Sequence, residues 1–138
     1  MKVILRLRAE SAPIARQFYE DELGMFRLVG TMWESACTMR AVASADIEIE
    51  LADFHNPPSE TALFILTTDN CSREFKRLVN THFASGGRIV PNKQGRLDVF
   101  EYPAGANFMM EDPSGNRFLI HEDFGPSPDD VPSHGDAK

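Results

Sequence analysis

Glu111-Asp112-Pro113-Ser114-Gly115-Asn116-Arg117-Phe118-Leu119-Ile120 sets a tight turn directly before an apolar strand. Pro113 holds φ near about −65°, Gly115 supplies positive φ, and Asn116 tolerates the left-handed region. A second stretch, Phe18-Tyr19-Glu20-Asp21-Glu22-Leu23-Gly24, closes a short helix near the start, with Gly24 suited to end it.

Working outward from these two points, the chain reads as the same order twice. Val3, Leu5 and Leu7 alternate with Ile4, Arg6 and Arg8, as a first strand does. Ser11 is placed to cap the helix that follows, and Pro13 fits its first turn. Strands are expected at about 25–31, 35–43 and 46–52, the last with Ile47, Ile49 and Leu51 alternating with Glu48 and Glu50. A connection containing Pro57-Pro58 follows. The second round predicts a strand over 63–68 and a helix capped by Asp69 or Asn70. That helix has the stripe Phe75, Leu78, Val79 and Phe83, and Gly86-Gly87 ends it. Strands are then expected at about 88–91, 97–102, 106–111 and 116–122. The boundaries read as one domain over 1–122, with modules at 1–53 and 62–122 joined by 54–61, and a Pro- and Asp-rich tail over 123–138.

At 138 residues, 42% hydrophobic and 25% charged, the composition is that of a soluble globular protein. No apolar run approaches the roughly 18 residues of a membrane span, and Met1-Lys2-Val3-Ile4-Leu5-Arg6 does not resemble a signal peptide. The net charge of −7 argues against nucleic acid as a partner. Cys37 and Cys71 read as free thiols in a reducing cytoplasm.

A βαβββ module occurring twice, with Phe-Tyr…Leu-Gly after the first helix and Asp-Pro-Ser-Gly-Asn before the last strand, resembles the vicinal oxygen chelate superfamily. That superfamily contains glyoxalase I, bleomycin-resistance proteins and extradiol dioxygenases. The resemblance implies an α+β fold with two curled mixed sheets around a cleft, commonly in a homodimer. It also implies four metal-ligand positions, on the first and last strand of each module. Carried over residue by residue, these fall on Ile4, Glu50, Leu63 and Leu119. Only Glu50 has a donor atom, so no metal and no cofactor are expected.

Strand alternation places Arg6, Glu48 and Glu50 on the cleft side, where Arg6 is expected to neutralise one of the two carboxylates. One guanidinium against two carboxylates predicts a net negative site. Trp33 is the aromatic chosen as a pocket residue, and His121 shares a face with Leu119. Met32, Met39, Phe100, Tyr102, Phe108, Met109 and Met110 are core or pocket residues. The ligand-binding set is therefore Arg6, Trp33, Glu48, Glu50, Leu63, Leu119 and His121. The favoured reading is a metal-free, bleomycin-resistance-like protein that binds a small organic molecule, cationic or aromatic. The alternative is a glyoxalase-type lyase or dioxygenase that uses displaced ligands, or acid–base chemistry with Glu50 or His121 as base. No phosphate loop, dinucleotide fingerprint or hydrolase elbow is present.

Overall fold

The computed structural model describes residues 1–32, 35–55 and 57–125. Trp33 and most of the expected tail lie outside the described residues. The first half runs β1 (Val3–Arg8), α1 (Ala12–Arg16), a π-helical segment (Gln17–Glu22), β2 (Phe26–Met32), β3 (Ala36–Ala41) and β4 (Ile47–Ala52). Ser11 caps α1 by accepting from the Ile14 amide at 3.4 Å, and Pro13 sits in the first turn. The π-helical segment buries Phe18, Tyr19 and Glu22, and the chain leaves it through Leu23 and Gly24.

The strands assemble in the order β1-β4-β3-β2. β1 is parallel to β4 and pairs Ile4 with Glu48 and Arg6 with Glu50; β3 is antiparallel to β4 and pairs Thr38 with Glu50 and Arg40 with Glu48. Alternation then gives the sheet two chemically distinct faces. Leu7, Ile49 and Leu51 are buried on one, as the sequence predicts, and Cys37 and Met39 of β3 are buried beside them. Val3, expected with them, is exposed at the start of its strand.

The second half runs β5 (Ile65–Thr67), α2 (Cys71–Val79), β6 (Arg88–Val90), β7 (Phe100–Tyr102), β8 (Gly105–Glu111) and β9 (Arg117–Asp123). Its sheet has the order β5-β9-β8-β6, with β5 parallel to β9. β6 and β7 both pair with β8, β6 along Met109–Glu111 and β7 along Gly105–Asn107. They share one flank of β8, so two short strands stand where the first sheet has the single strand β2. Both sheets curl and neither closes.

Asn70 is the residue that caps α2, accepting from the Arg73 amide at 3.0 Å. The helix ends at Val79, earlier than the apolar stripe predicts. Asn80 turns its side-chain amide back onto the Lys76 carbonyl, and Thr81 bonds Arg77 and Leu78, so the last turn is satisfied and closed there. Phe83 and His82 therefore lie beyond the helix. Phe83 packs on Phe18 with ring centroids 5.9 Å apart.

The two sheets share a single core. Phe18 and Tyr19 lie edge to face at 4.9 Å, and both pack on Phe118 of β9. Gly87 allows this approach: a Cβ there would lie 2.3 Å from the Phe18 ring. The Asp112–Asn116 turn plugs into the first half. Asp112 is buried and accepts from the Tyr19 hydroxyl at 2.7 Å, the Asn116 side chain at 2.7 Å, and the Ser114 and Asn116 amides at 2.9 Å. Asn116 in turn donates to the Arg8 carbonyl at 2.7 Å. Gly115 adopts φ +92° against Pro58, which is the conformation the sequence predicts for it. Burial still raises the Asp112 carboxyl above its ordinary range, against the pull of these donors. The Tyr19 hydroxyl is pushed well up by burial and by the neighbouring carboxylate.

Candidate functional site: two polar sheet faces and their hollows

With the core on one side of each sheet, the opposite faces are left for function. On the first sheet this face carries Ile4, Arg6, Thr38, Arg40, Glu48 and Glu50, because the register sets them level on neighbouring strands. Arg6 Nε donates to Glu50 Oε1 at 3.0 Å. Its guanidinium also lies 4.2 Å above the centroid of Phe54, just past the end of β4. Glu48, only 4% exposed, is bonded by Lys2 Nζ and by Arg40, each at 3.1 Å. The Lys2 ammonium holds the Glu48 carboxyl below the ordinary range, and Arg40 reinforces it against desolvation.

Arg6 is expected to neutralise one of the two carboxylates, and the structure pairs it with Glu50. The predicted charge balance does not hold. Lys2 and Arg40 join Arg6, so three cations meet two carboxylates, and the net negative site is replaced by a net positive one. Both residues have the strand parity of Glu48, which is the signal that could have revealed them; neither was paired with it because parity alone does not say which strands are neighbours.

The second sheet presents Leu63, Ile65, Arg117, Leu119, His121, Met109, Asn107 and Glu111. Glu111 is bridged by Arg88 at 3.0 Å and Arg117 at 2.9 Å. Burial pushes this carboxyl up, but the two guanidinium groups outweigh it and hold it below the ordinary range. His121 lies beside Tyr102, with rings stacked at 6.1 Å. Phe108, Met110 and Met39 are buried in the core, whereas Phe100 and Met32 are exposed and Tyr102 and Met109 half-buried.

Two hollows border these faces. One, about 450 Å³, runs along the edge of β1, where Leu5, Arg6 and Leu7 line it, and faces Pro57, Pro58 and Ser59 of the connection, Leu63 and Phe64 just before β5, and Asn116. The other, about 490 Å³, lies where the strand is split into β6 and β7, under the loop 91–99. Phe100, Met109, Leu119, Asn107 and Arg117 line it. Asn92 shapes the loop, its side chain accepting from the Gln94 and Arg96 amides at 3.0 Å. Both are of the size of small-molecule pockets. Of the residues predicted for ligand binding, Arg6 and Leu63 share the first hollow and Leu119 lines the second. Glu50 reaches the first through Arg6. Glu48 and His121 line neither.

The sequence profile of the glyoxalase/bleomycin resistance protein/dioxygenase superfamily matches residues 4–120. The chain belongs to this superfamily. Solved structures agree on the fold. A bleomycin-binding protein from Streptomyces verticillus, complexed with copper(II)-bleomycin, is 21% identical over 91% of this chain and 96% of that one, with a TM-score of 0.60. An antibiotic-binding protein from Streptomyces sp. CB03234 is 21% identical over 89% and 97%, at 0.62. A lactoylglutathione lyase from Agrobacterium tumefaciens is 15% identical over 88% and 92%, at 0.60. No curated protein matches the chain by sequence.

Superfamily membership raises the question of a metal, and the donor set answers it. Ile4 stands two residues before Arg6, the partner of Glu50 on β1 and β4. Leu63, whose amide bonds the Arg117 carbonyl, stands two residues before Ile65, the partner of Leu119 on β5 and β9. The four expected positions thus occupy equivalent places in the two sheets. Three of them offer hydrocarbon, and the fourth, Glu50, is bonded to a guanidinium. Among the described residues no three His, Cys, Asp or Glu side chains converge as a cation requires. These residues do not fit a metal of the superfamily type.

Proposed function

We propose that this superfamily member binds a small organic molecule against its outward sheet faces, without a metal, and releases it unchanged. The observation that carries the reading is the replacement of a chelating set by Ile4, Leu63, Leu119 and an Arg6–Glu50 ion pair. A cleft whose one donor at these positions is a carboxylate already paired with a guanidinium is not built to polarise a substrate through a bound cation. It can still bury flat apolar surface: Phe100, Met109 and Leu119 form a platform in the 490 Å³ hollow, with Asn107 and Arg117 as polar contacts. Two structural neighbours are named as an antibiotic-binding and a bleomycin-binding protein, and small-molecule binding by this fold supports the reading.

The same reading includes a homodimer. Ile4, Leu63, Ile65 and Phe100 are all about half exposed on the outward faces, and a second copy would cover them. It includes a reducing, cytoplasmic setting for the thiols. Burial holds Cys37 up and pushes Cys71, which also faces Glu122, to about 11, so neither is reactive as a thiolate.

A thermal-shift panel of aromatic compounds and antibiotics tests the reading, because a ligand of the native state alone raises Tm. At least one compound is expected to bind and be recovered intact, and Phe100→Ala is expected to weaken it about tenfold. Chemical turnover of the bound compound, or a panel with no binder at all, would overturn the proposal.

A further inference from the structure

We infer that the hollow between β1 and the segment leading into β5 is an anion site, in which Arg6 receives the carboxylate of a flat apolar acid. The inference rests on the small-molecule reading above and names the ligand's chemistry.

Three observations support it. The first is how Arg6 is held. Nε is tied to Glu50 at 3.0 Å and the guanidinium plane is supported by Phe54 at 4.2 Å, although the side chain is 65% exposed. An exposed arginine is ordinarily free to sample many rotamers; this one is fixed from below and from the side. Among the described residues, neither Nη1 nor Nη2 donates to any protein acceptor. Two parallel N–H donors are thus positioned and unspent, which is the geometry a carboxylate matches with both oxygens.

The second is the shape and lining of the hollow that Arg6 borders. Leu63, Phe64, Pro57 and Pro58 form apolar walls around about 450 Å³, with Ser59 and Asn116 as the uncharged polar lining. A hollow with one cationic rim and mostly hydrocarbon walls suits an amphiphilic acid, with its flat body inside and its charge at the guanidinium. A cation placed there would meet Arg6 itself.

The third is the local sign of charge. The whole chain carries −7. On the first sheet's outward face Lys2, Arg6 and Arg40 stand against Glu48 and Glu50, and on the second Arg88 and Arg117 stand against Glu111. The ion-paired cluster on each of these faces therefore carries one more cation than carboxylate within an acidic molecule. A positive concave surface on a negative body concentrates small anions there, and the effect fades with added salt.

The test compares an acid with its uncharged isostere. The full-length protein is titrated calorimetrically at low salt with naphthoate and with naphthamide. Naphthoate is expected to bind at least about tenfold more tightly, with the preference shrinking as salt is added. Arg6→Gln, checked for native circular dichroism and Tm, is expected to abolish the preference, so that acid and amide bind alike. Arg6→Lys keeps the charge but not the paired donors, and should retain only part of the preference. Equal binding of acid and amide by the natural sequence, or an undiminished preference in Arg6→Gln, would overturn the inference and leave the small-molecule reading standing. If neither compound binds, the anion site is refuted; the wider reading falls with it only if the thermal-shift panel is also silent.

Discussion

Tyr19→Phe removes one oxygen from the joint between the two halves of the fold. Its hydroxyl donates to Asp112 Oδ2 at 2.7 Å, and both groups are buried. A hydrogen bond to a charged acceptor contributes about 1.5–3 kcal/mol. Asp112 would keep the Asn116 side chain and two backbone amides, so the carboxylate is not stripped bare. That places the expected loss near about 2 kcal/mol, or a fall in Tm of roughly 4–8 °C for a chain of this size. The pH dependence gives a second, independent readout. Burial raises the folded-state pKa of Asp112 above its ordinary value, and the Tyr19 hydroxyl opposes that rise by favouring the anion. Without it the folded pKa climbs further. A raised folded pKa means stability that is present at low pH and lost as pH rises through it. The cost of Tyr19→Phe should therefore be full at neutral pH and shrink as pH falls through the raised folded value and the carboxyl protonates. Denaturant unfolding of both proteins at several pH values measures this difference, in which all other titrations cancel. A loss below about 0.5 kcal/mol, the ordinary scatter of surface changes, would refute the view that this turn is docked through Tyr19.

Two further outcomes follow from the same geometry. Gly87→Ala puts a methyl group 2.3 Å from the Phe18 ring and should cost about 3 kcal/mol in denaturant unfolding, with Phe18→Leu in the same chain recovering part of it. Glu48 and Glu111 have folded pKa values held below the ordinary range, so their stabilisation is complete above that range and lost as pH falls through the folded values. Tm should drop on acidification below about pH 4.5, and Lys2→Ala with Arg40→Ala should flatten the Glu48 part of that drop.

The fold was legible because its decisive features are local. The Asp112–Asn116 turn, the Ser11 cap and the alternation of Ile47, Ile49 and Leu51 with Glu48 and Glu50 are each set by nearest neighbours in the chain, and each stands as read. Placing Ile4, Arg6, Glu48 and Glu50 on one face needed only the strand period, and the parallel register bears it out. What escaped depends on contacts distant in sequence. Phe83 has helical spacing from Val79, but Asn80 and Thr81 close the helix before it, and Phe83 packs on Phe18, across the fold. Lys2 and Arg40 change the sign of the first face because β1 and β3 both flank β4, an adjacency that spans most of the first half. The 490 Å³ hollow arises from a strand broken into β6 and β7, and the run from Arg88 to Tyr102 predicts two strands without saying that both pair along the same side of β8. Pocket residues such as Asn107 and Arg117 could be read only as strand residues. Val79, counted on the apolar stripe of α2, is exposed because the helix buries little beyond Cys71 and Leu78.

Elemental analysis of the protein purified without chelator tests the central claim most directly. Hydrocarbon at Ile4, Leu63 and Leu119, with Glu50 occupied by Arg6, predicts only trace, substoichiometric Ni, Zn, Fe and Mn, and no gain on incubation with these ions. One tightly held equivalent of any of them, lost on Glu50→Gln, would contradict the account.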